Sequence, residues 1–135
     1  MNARIAFHEV QGKSGIIEVI FEGEFRSEDS KLLSRATSEI VVQKPYGVIF
    51  NLSLYTGGTK AIYMGFHDII NEVRVDIVAV GISGFAKTMF FESGLTARIA
   101  AVDSIEEAIL YLKSRNKERE DEKQRMADIE DRRNR

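Results

Sequence analysis

The stretch that decides the fold is Gly47-Val48-Ile49-Phe50-Asn51-Leu52, in which apolar residues follow one another almost without interruption. A strand with one face in water alternates apolar and polar residues, whereas a strand buried on both faces does not. The second pattern is typical of parallel sheets covered by helices. A similar run, Val-Asp-Ile-Val-Ala-Val, occupies residues 75–80. The two runs predict neighbouring parallel strands in an α/β domain.

Outward from these runs, the sequence alternates between strand and helix patterns. The predicted strands are residues 5–7, 16–21, 47–52, 75–80 and 97–101. Apolar residues at helical spacing predict helices that include residues 32–40, 62–73, 85–92 and 105–112. Pro45 ends the first helix, and Ser104 with Glu107 forms a capping box at the start of the last. The order β-β-α-β-α-β-α-β-α predicts a single compact α/β domain with a mixed, mostly parallel sheet and an N-terminal β-hairpin.

A change of composition divides the chain near residue 112. Residues 113–135 contain nine Lys/Arg and seven Asp/Glu, and their only apolar residues are Met126, Ala127 and Ile129. The remaining 112 residues are long enough to bury a core of their own. We therefore expect a folded domain over residues 1–112 and a charged C-terminal tail, helical or frayed, over residues 113–135.

Composition also narrows the classes of function. The chain is 44% hydrophobic and 30% charged, as a soluble globular protein is, and its net charge of -2 argues against nucleic-acid binding. No apolar run approaches the roughly 20 residues of a membrane-spanning helix, and no signal sequence opens the chain. With no cysteine there is neither a disulfide nor a thiolate site. We expect a cytoplasmic protein that does not insert into membranes.

Candidate catalytic and metal-binding residues are few. His8 and His67 are the only histidines, and no acidic residue stands at a ligand-like spacing from either. Ser53, His67 and Asp68 lack the sequence around a nucleophile elbow. We therefore expect no metal, no cofactor and no enzymatic activity.

Three local sequences point to a known family. Residues 83–95 read Ser-Gly-Phe-Ala-Lys-Thr-Met-Phe-Phe-Glu-Ser-Gly-Leu, residues 103–108 read Asp-Ser-Ile-Glu-Glu-Ala, and residues 48–53 read Val-Ile-Phe-Asn-Leu-Ser. They resemble, respectively, the short helix with its S-G-L ending, the start of the last helix and the central strand of STAS domains. This family comprises the anti-sigma-factor antagonists and the cytoplasmic modules of sulphate transporters. The order of elements is similar along nearly the whole of residues 4–112.

The resemblance implies a partner-binding loop before the second helix. Antagonists of this family carry Asp-Ser-Ser/Thr-Gly there, and a partner kinase phosphorylates the hydroxyl residue. An ungapped alignment places Thr56-Gly57-Gly58-Thr59 on that motif, with Gly58 at the acceptor position, where no oxygen is available. A shift of one residue brings Thr59 near that position instead. The resemblance thus implies a partner-binding loop of Thr56, Gly57, Gly58, Thr59 and Lys60 without the usual serine, with Thr59 or Thr56 as alternative phosphoacceptors.

The same loop has two readings that need no family. One is a tight β-to-α turn in which the glycines adopt unusual φ angles and a threonine caps the helix. The other is an anion or nucleotide cradle made by free backbone N–H groups at a helix start. The spacing of a Walker sequence is missing, although Lys60 lies nearby.

Three hypotheses of function follow. The first is a non-enzymatic regulatory protein–protein interaction module, a STAS-like domain whose partner is a kinase-type anti-sigma factor or a signalling complex. It would dock through residues 54–60, the exposed face of the following helix and Ser83-Gly84. The second is an antagonist regulated by phosphorylation of Thr59 or Thr56. The third is a small-molecule or lipid-binding α/β domain, which requires a sizeable apolar pocket. Homo-oligomers are compatible with all three.

Overall fold

One mixed sheet organises the computed structural model, which describes residues 2–135; Met1, where the predicted domain begins, lies outside the described residues. The strands are β1 (Arg4–Glu9), β2 (Ile16–Phe25), β3 (Gly47–Gly58), β4 (Asp76–Val80) and β5 (Ala100–Val102). The helices are α1 (Ser30–Gln43), α2 (Lys60–Val73), α3 (Gly84–Glu92) and α4 (Ile105–Arg133), with 3₁₀ turns at Ser27–Asp29 and Leu95–Ala97. The sheet order is β1-β2-β3-β4-β5; β1 and β2 are antiparallel, and the other pairs are parallel. The predicted fold class and element order are confirmed.

The last strand differs from its prediction. We expected it over residues 97–101, but β5 comprises only Ala100–Val102. The reason is the 3₁₀ turn before it, in which the N–H groups of Arg98 and Ile99 donate to the carbonyl oxygen of Leu95 at 3.0 and 3.1 Å. Because this backbone bonds to itself, it does not pair with β4.

Helices cover both faces of the sheet, and each face has its own core. Helices α1, α2 and α3 pack on one face, where the core includes Leu33, Phe66 and Phe90. Helix α4 packs on the other face, where Ala108 and Leu112 meet apolar side chains of β2, β3 and β4. The near-continuous apolar run in β3 therefore serves both cores, as its composition predicts.

An aromatic cluster holds α2 to the centre of the sheet. The ring of Phe66 in α2 lies 5.1 Å from that of Phe21 in β2 and 5.9 Å from that of Phe50 in β3, measured between centroids. It also lies 5.4 Å from the ring of Phe90 in α3. The rings meet edge-on or tilted, which is the arrangement that aromatic pairs prefer. Phe66 thus joins two strands and two helices.

Helix α4 continues well beyond the sheet. Its first turn has half of the predicted capping box, since the hydroxyl oxygen of Ser104 accepts a hydrogen bond from the N–H of Glu107 at 3.1 Å. The carboxylate of Glu107 accepts from the N–H of Asp103, at 3.5 Å, and not from that of Ser104. At the amino end of β4, Asp76 accepts from Arg119 at 2.7 Å and pairs with Arg115 at 3.6 Å. Helix α4 then continues to Arg133, so the charged extension is helical. The boundary between a folded domain and a tail at residue 112 stays a prediction. Within residues 2–135, no helix combines the length and apolar character that crossing a bilayer demands.

The cluster gives a prediction about stability. Replacing Phe66, which is fully buried, by alanine removes packing on two strands and two helices, and we expect the free energy of unfolding to fall by about 3–5 kcal/mol. Urea denaturation followed by circular dichroism measures this. Phe91, whose side chain is 71% exposed, is the matched control, and Phe91→Ala should leave the midpoint nearly unchanged. Equal losses in the two variants would contradict this account of the core.

Candidate functional site

The predicted site lies at the edge of the sheet where the parallel strands end. In such a sheet the carboxyl ends of the strands and the first turns of the following helices meet at one edge, which is where α/β proteins bind ligands and partners. Here that edge carries the starts of α2, α3 and α4. Thr56, Gly57 and Gly58 end β3, Thr59 precedes α2 and Lys60 is its first residue. The structure therefore brings all five residues together.

The predicted loop, however, is wrong as a description of residues 53–58, which belong to β3. Strand β2 is four residues longer than predicted, and its end provides backbone partners for this part of β3. The pairs are Glu22 with Leu54, Gly23 with Tyr55, Glu24 with Gly57 and Phe25 with Gly58. One interpretation of these residues is a tight β-to-α turn, but the longer β2 pairs with both glycines and the strand continues. These glycines therefore lie at the end of β3, before the first turn of α2.

Both glycines are required by the local geometry. A register shift between β2 and β3 leaves Thr56 unpaired, and Gly57 next to it has a φ of +133°, which residues with a side chain rarely adopt. Gly58 lacks space for a side chain. A Cβ atom there would lie 2.9 Å from Ile62 Cγ2 and 3.0 Å from Tyr55 Oη.

Thr59 occupies the N-cap position of α2 without capping it through its side chain. Its backbone is extended, and its carbonyl oxygen accepts from the N–H groups of Ile62 and Tyr63 at 3.0 and 3.3 Å. Its hydroxyl instead shares a hydrogen bond of 3.3 Å with the hydroxyl of Ser27, in the 3₁₀ turn before α1. The predicted position at the helix start is confirmed, whereas the predicted threonine cap is wrong. Sequence reasoning did not identify Ser27 as a neighbour of Thr59, because the two are 32 positions apart.

Exposed side chains of mixed character lie on the elements that meet at this edge. Leu54, which pairs with Glu22, faces the α4 side of the sheet, whereas α2 and α3 lie on the other side. Leu54 on β3, Met64 on α2 and Phe85 on α3 are 51%, 60% and 74% exposed. Lys60 is also exposed, and it takes part in none of the ion pairs that join residues 2–135. Ser83 and Gly84, at the start of α3, are exposed at the same edge. The carboxyl-edge surface, as we call it, comprises Leu54, Thr56, Thr59, Lys60, Met64, Ser83, Gly84 and Phe85.

Two buried tyrosines lie beneath this surface. Tyr55 and Tyr63 are 5% and 3% exposed, and among residues 2–135 neither hydroxyl has a hydrogen-bond partner of acceptable geometry. Burial raises the pKa of the Tyr55 hydroxyl far above its ordinary value, and the nearby Tyr63 raises that pKa further. Tyr55 is therefore neutral in the folded protein, and its role is packing.

A polar cluster on the other face of the sheet was not predicted. Glu18 is only 8% exposed, and its carboxylate accepts from Asn51 Nδ2 at 2.8 Å and lies 3.1 Å from His8 Nδ1. The oxygen of the Asn51 amide accepts from the Ser53 hydroxyl at 2.7 Å. The signals in the sequence are a glutamate and an asparagine inside apolar strands. This cluster satisfies the polar groups of a buried glutamate.

Both ring nitrogens of the second histidine, His67, have partners within the protein. His67 Nε2 lies 2.8 Å from the carbonyl oxygen of Ser93, and its Nδ1 lies 2.9 Å from Arg98 Nη1. These contacts hold the end of α3 against α2. In the part of the chain that the structure describes, no three His, Asp or Glu side chains converge to hold a metal ion.

Comparison with known proteins gives similarity of structure only. No protein-family model matches the sequence, and no curated protein matches it significantly. Among solved structures, a Thermotoga maritima protein described as a candidate anti-sigma factor antagonist superposes with a TM-score of 0.71 at 12% identity, covering 81% of this chain and 94% of that one. An anti-sigma factor antagonist of Mycobacterium paratuberculosis gives 0.66 at 16% identity, covering 83% and 95%. The phosphorylated form of the Bacillus cell fate determinant SpoIIAA gives 0.61 at 15% identity, covering 81% and 99%. At such identities the likeness shows a common fold.

The buried tyrosine pair predicts a dependence of stability on pH. The pKa of Tyr55 is raised in the folded state, so folding favours the protonated hydroxyl. The contribution of the protonated Tyr55 hydroxyl to the stability of the fold is complete below about 10, the pKa of a tyrosine in the unfolded chain. This contribution is lost as the pH rises above that value. At neutral pH, Tyr55→Phe removes an unpartnered hydroxyl, so we expect unfolding to cost about 1 kcal/mol more.

Urea denaturation at neutral pH and at about pH 11 tests both expectations. The Tyr55→Phe protein should lose less stability at the higher pH than the natural protein does. Tyr111→Phe, at a partly exposed position, is the control. A lower stability of Tyr55→Phe at neutral pH would show that its hydroxyl has a partner.

The packing around Gly58 gives a prediction about a larger side chain at this position. We expect Gly58→Ser to lower the free energy of unfolding by about 1–3 kcal/mol, because its Cβ would crowd Ile62 and Tyr55. Thr59→Ser, at the exposed neighbouring position, should change it little. Thermal unfolding of the two variants measures the difference, and a fully stable Gly58→Ser protein would show that the pocket can expand.

Proposed function

Because the chain has the STAS fold, we propose that it is a non-enzymatic regulatory module that docks a protein partner on the carboxyl-edge surface. The neighbours in structure that are named as anti-sigma factor antagonists suggest the class of partner. That class is a kinase-type anti-sigma factor or another protein of a cytoplasmic signalling complex. Regulation of transcription is then the outcome of docking.

The exposed apolar side chains of this surface are the observation that carries the proposal. Leu54, Met64 and Phe85 are more than half exposed, and they come from β3, α2 and α3. Interfaces commonly have apolar and aromatic residues at their centre and polar residues around them. The hydroxyls of Thr56, Thr59 and Ser83 and the charge of Lys60 supply such a rim. A partner that reaches around this edge of the sheet would remove the three apolar side chains from water.

Docking in this proposal does not depend on phosphorylation of a serine. The ungapped alignment puts Gly58 at the usual acceptor position, and the packing of Ile62 and Tyr55 against Gly58 leaves no space for a hydroxymethyl group. The module is therefore a constitutive binder or scaffold.

One observation favours phosphorylation of Thr59 as the second candidate. Thr59 is exposed at the start of α2, and its hydroxyl accepts no hydrogen bond from the N–H groups of the helix. The hydroxyl is therefore accessible to a kinase. A phosphate there would add about -1.5 to -2 charge, which the helix N-terminus and Lys60 favour electrostatically. SpoIIAA, one of the neighbours in structure, is known in a phosphorylated form. Thr56 is exposed as well, but it lies within β3.

The third hypothesis, a small-molecule or lipid-binding domain, receives no support from the cavities. The groove between α1 and α2 has a volume of about 740 Å³, but it is open to solvent. The space between the sheet and α2 is filled by the aromatic cluster. An apolar ligand would need an enclosed pocket.

Capture experiments with surface variants test the docking proposal. The purified protein serves as bait in extracts of its own cells, and captured proteins are identified by mass spectrometry. Leu54→Asp, Lys60→Glu and Phe85→Ser should each reduce recovery of the specific partner at least about tenfold, because interface energy concentrates in a few central residues. Phosphorylation of Thr59 is mapped in the same samples.

The control is Lys117→Glu, which reverses an exposed charge on the far part of α4. It should leave recovery unchanged. A partner retained by all three surface variants would overturn the proposed surface. If Thr59 were phosphorylated and Thr59→Glu abolished binding, the protein would be a phosphorylation-regulated antagonist and not a constitutive binder.

A further inference from the structure

We propose that the exposed end of α4 binds the groove between α1 and α2 of a second copy of this chain, forming a two-fold symmetric dimer. This interface lies at the amino edge of the sheet, opposite the carboxyl-edge surface. It uses none of the residues assigned to partner docking, so it stands independently of the proposed function.

The end of α4 leaves the folded body before it ends. The contacts of Asp76 with Arg115 and Arg119 are the last that hold the helix to the sheet, and every residue from 117 onward is exposed. Residues 120–133 therefore extend about 21 Å as a free helix. An isolated helix of this length is marginal in water, so a contact along one face would stabilise it.

One face of this free helix carries two apolar and two basic side chains, together with Glu122, which pairs with Arg125. Met126 and Ile129, which are 56% and 40% exposed, are three residues apart and so lie on the same side. Arg132 and Arg133 follow Ile129 by three and four residues, which places them beside it. Neither arginine takes part in an ion pair among residues 2–135. Their charges are available to a partner.

The groove between α1 and α2 has the complementary character. Val41 and Val42 on α1 are 47% and 73% exposed along it, and Asp68 and Glu72 on α2 supply two negative charges. Basic residues border this groove, namely Arg98, which donates to Asn71, and Arg35 and Lys44 in the adjoining hollows. Neither carboxylate, however, has an ion-pair partner within residues 2–135. Two valines and two carboxylates thus match Met126, Ile129 and two arginines of the helix end.

The topology allows the two to meet only between copies. Val42 and Glu72 lie near the ends of α1 and α2, whose chains turn into β3 and β4 at the amino edge, and α4 leaves the body at that same edge. Within one copy they are on opposite faces of the sheet. A two-fold axis in the plane of the sheet and perpendicular to the strands exchanges the faces. It places the free helix of each copy over the groove of the other, as a symmetric interface requires.

The oligomeric state of the full chain and its charge-reversed variants tests this inference. Sedimentation velocity over a range of concentrations should show a dimer for the natural protein. Both Arg132→Glu/Arg133→Glu and Asp68→Arg/Glu72→Arg should weaken dimerisation at least about tenfold, because each places like charges against each other. Mixing the two variants should restore a dimer, since both helix–groove contacts are then complementary.

Two controls keep the result specific. Arg132→Lys/Arg133→Lys keeps the charge and should stay dimeric, and so should Glu106→Arg, which reverses an exposed charge at the opposite edge. Circular dichroism verifies that each variant is folded. A natural protein that is monomeric throughout overturns the inference, as does a dimer that neither double variant weakens. Failure of the mixture to dimerise, with both variants folded, overturns the pairing of helix end and groove.

Discussion

The packing of Phe66 against Phe21 and Phe50 is the contact on which the rest of the structure depends. It presses α2 onto the two central strands, and through Phe90 it also fixes α3. Protein cores are close-packed, so this contact sets the height and direction of α2 over the sheet. The position of Thr59 and Lys60 at the carboxyl edge follows directly. A docking surface made of short segments from separate elements needs such a rigid base.

The extension of β3 beyond β4 shapes that surface. Strand β4 ends at Val80, where it pairs with Asn51, while β3 continues beside β2 as far as Gly58. The extra residues bring Leu54 and Thr56 to the surface and bury Tyr55 below it. Gly58 is the point where this strand must pass closely over Ile62. A side chain at that position would crowd Ile62 and Tyr55.

The two proposed interfaces lie at opposite ends of the molecule. The carboxyl-edge surface presents apolar residues together with Lys60, whereas the groove and the end of α4 rely on opposite charges around a small apolar centre. Since the two share no residue, a dimer presents two carboxyl-edge surfaces facing away from each other. Such a dimer can hold two partners at once, and linked sites bind more tightly than separate ones when the geometry permits.

The sequence by itself determined the class of fold, because the buried runs at 47–52 and 75–80 and the helical spacing between them depend only on local periodicity. It also placed the N-cap of α4 at Ser104 and located Thr59 and Lys60 at the start of α2, next to Thr56, Gly57 and Gly58. Only the tertiary structure decided that β3 reaches Gly58, since this requires the end of β2 as a partner. The tertiary structure also brought the side chain of Ser27 to Thr59, and that of Glu18 to His8 and Asn51. These contacts join residues far apart in the chain, and no local pattern specifies them.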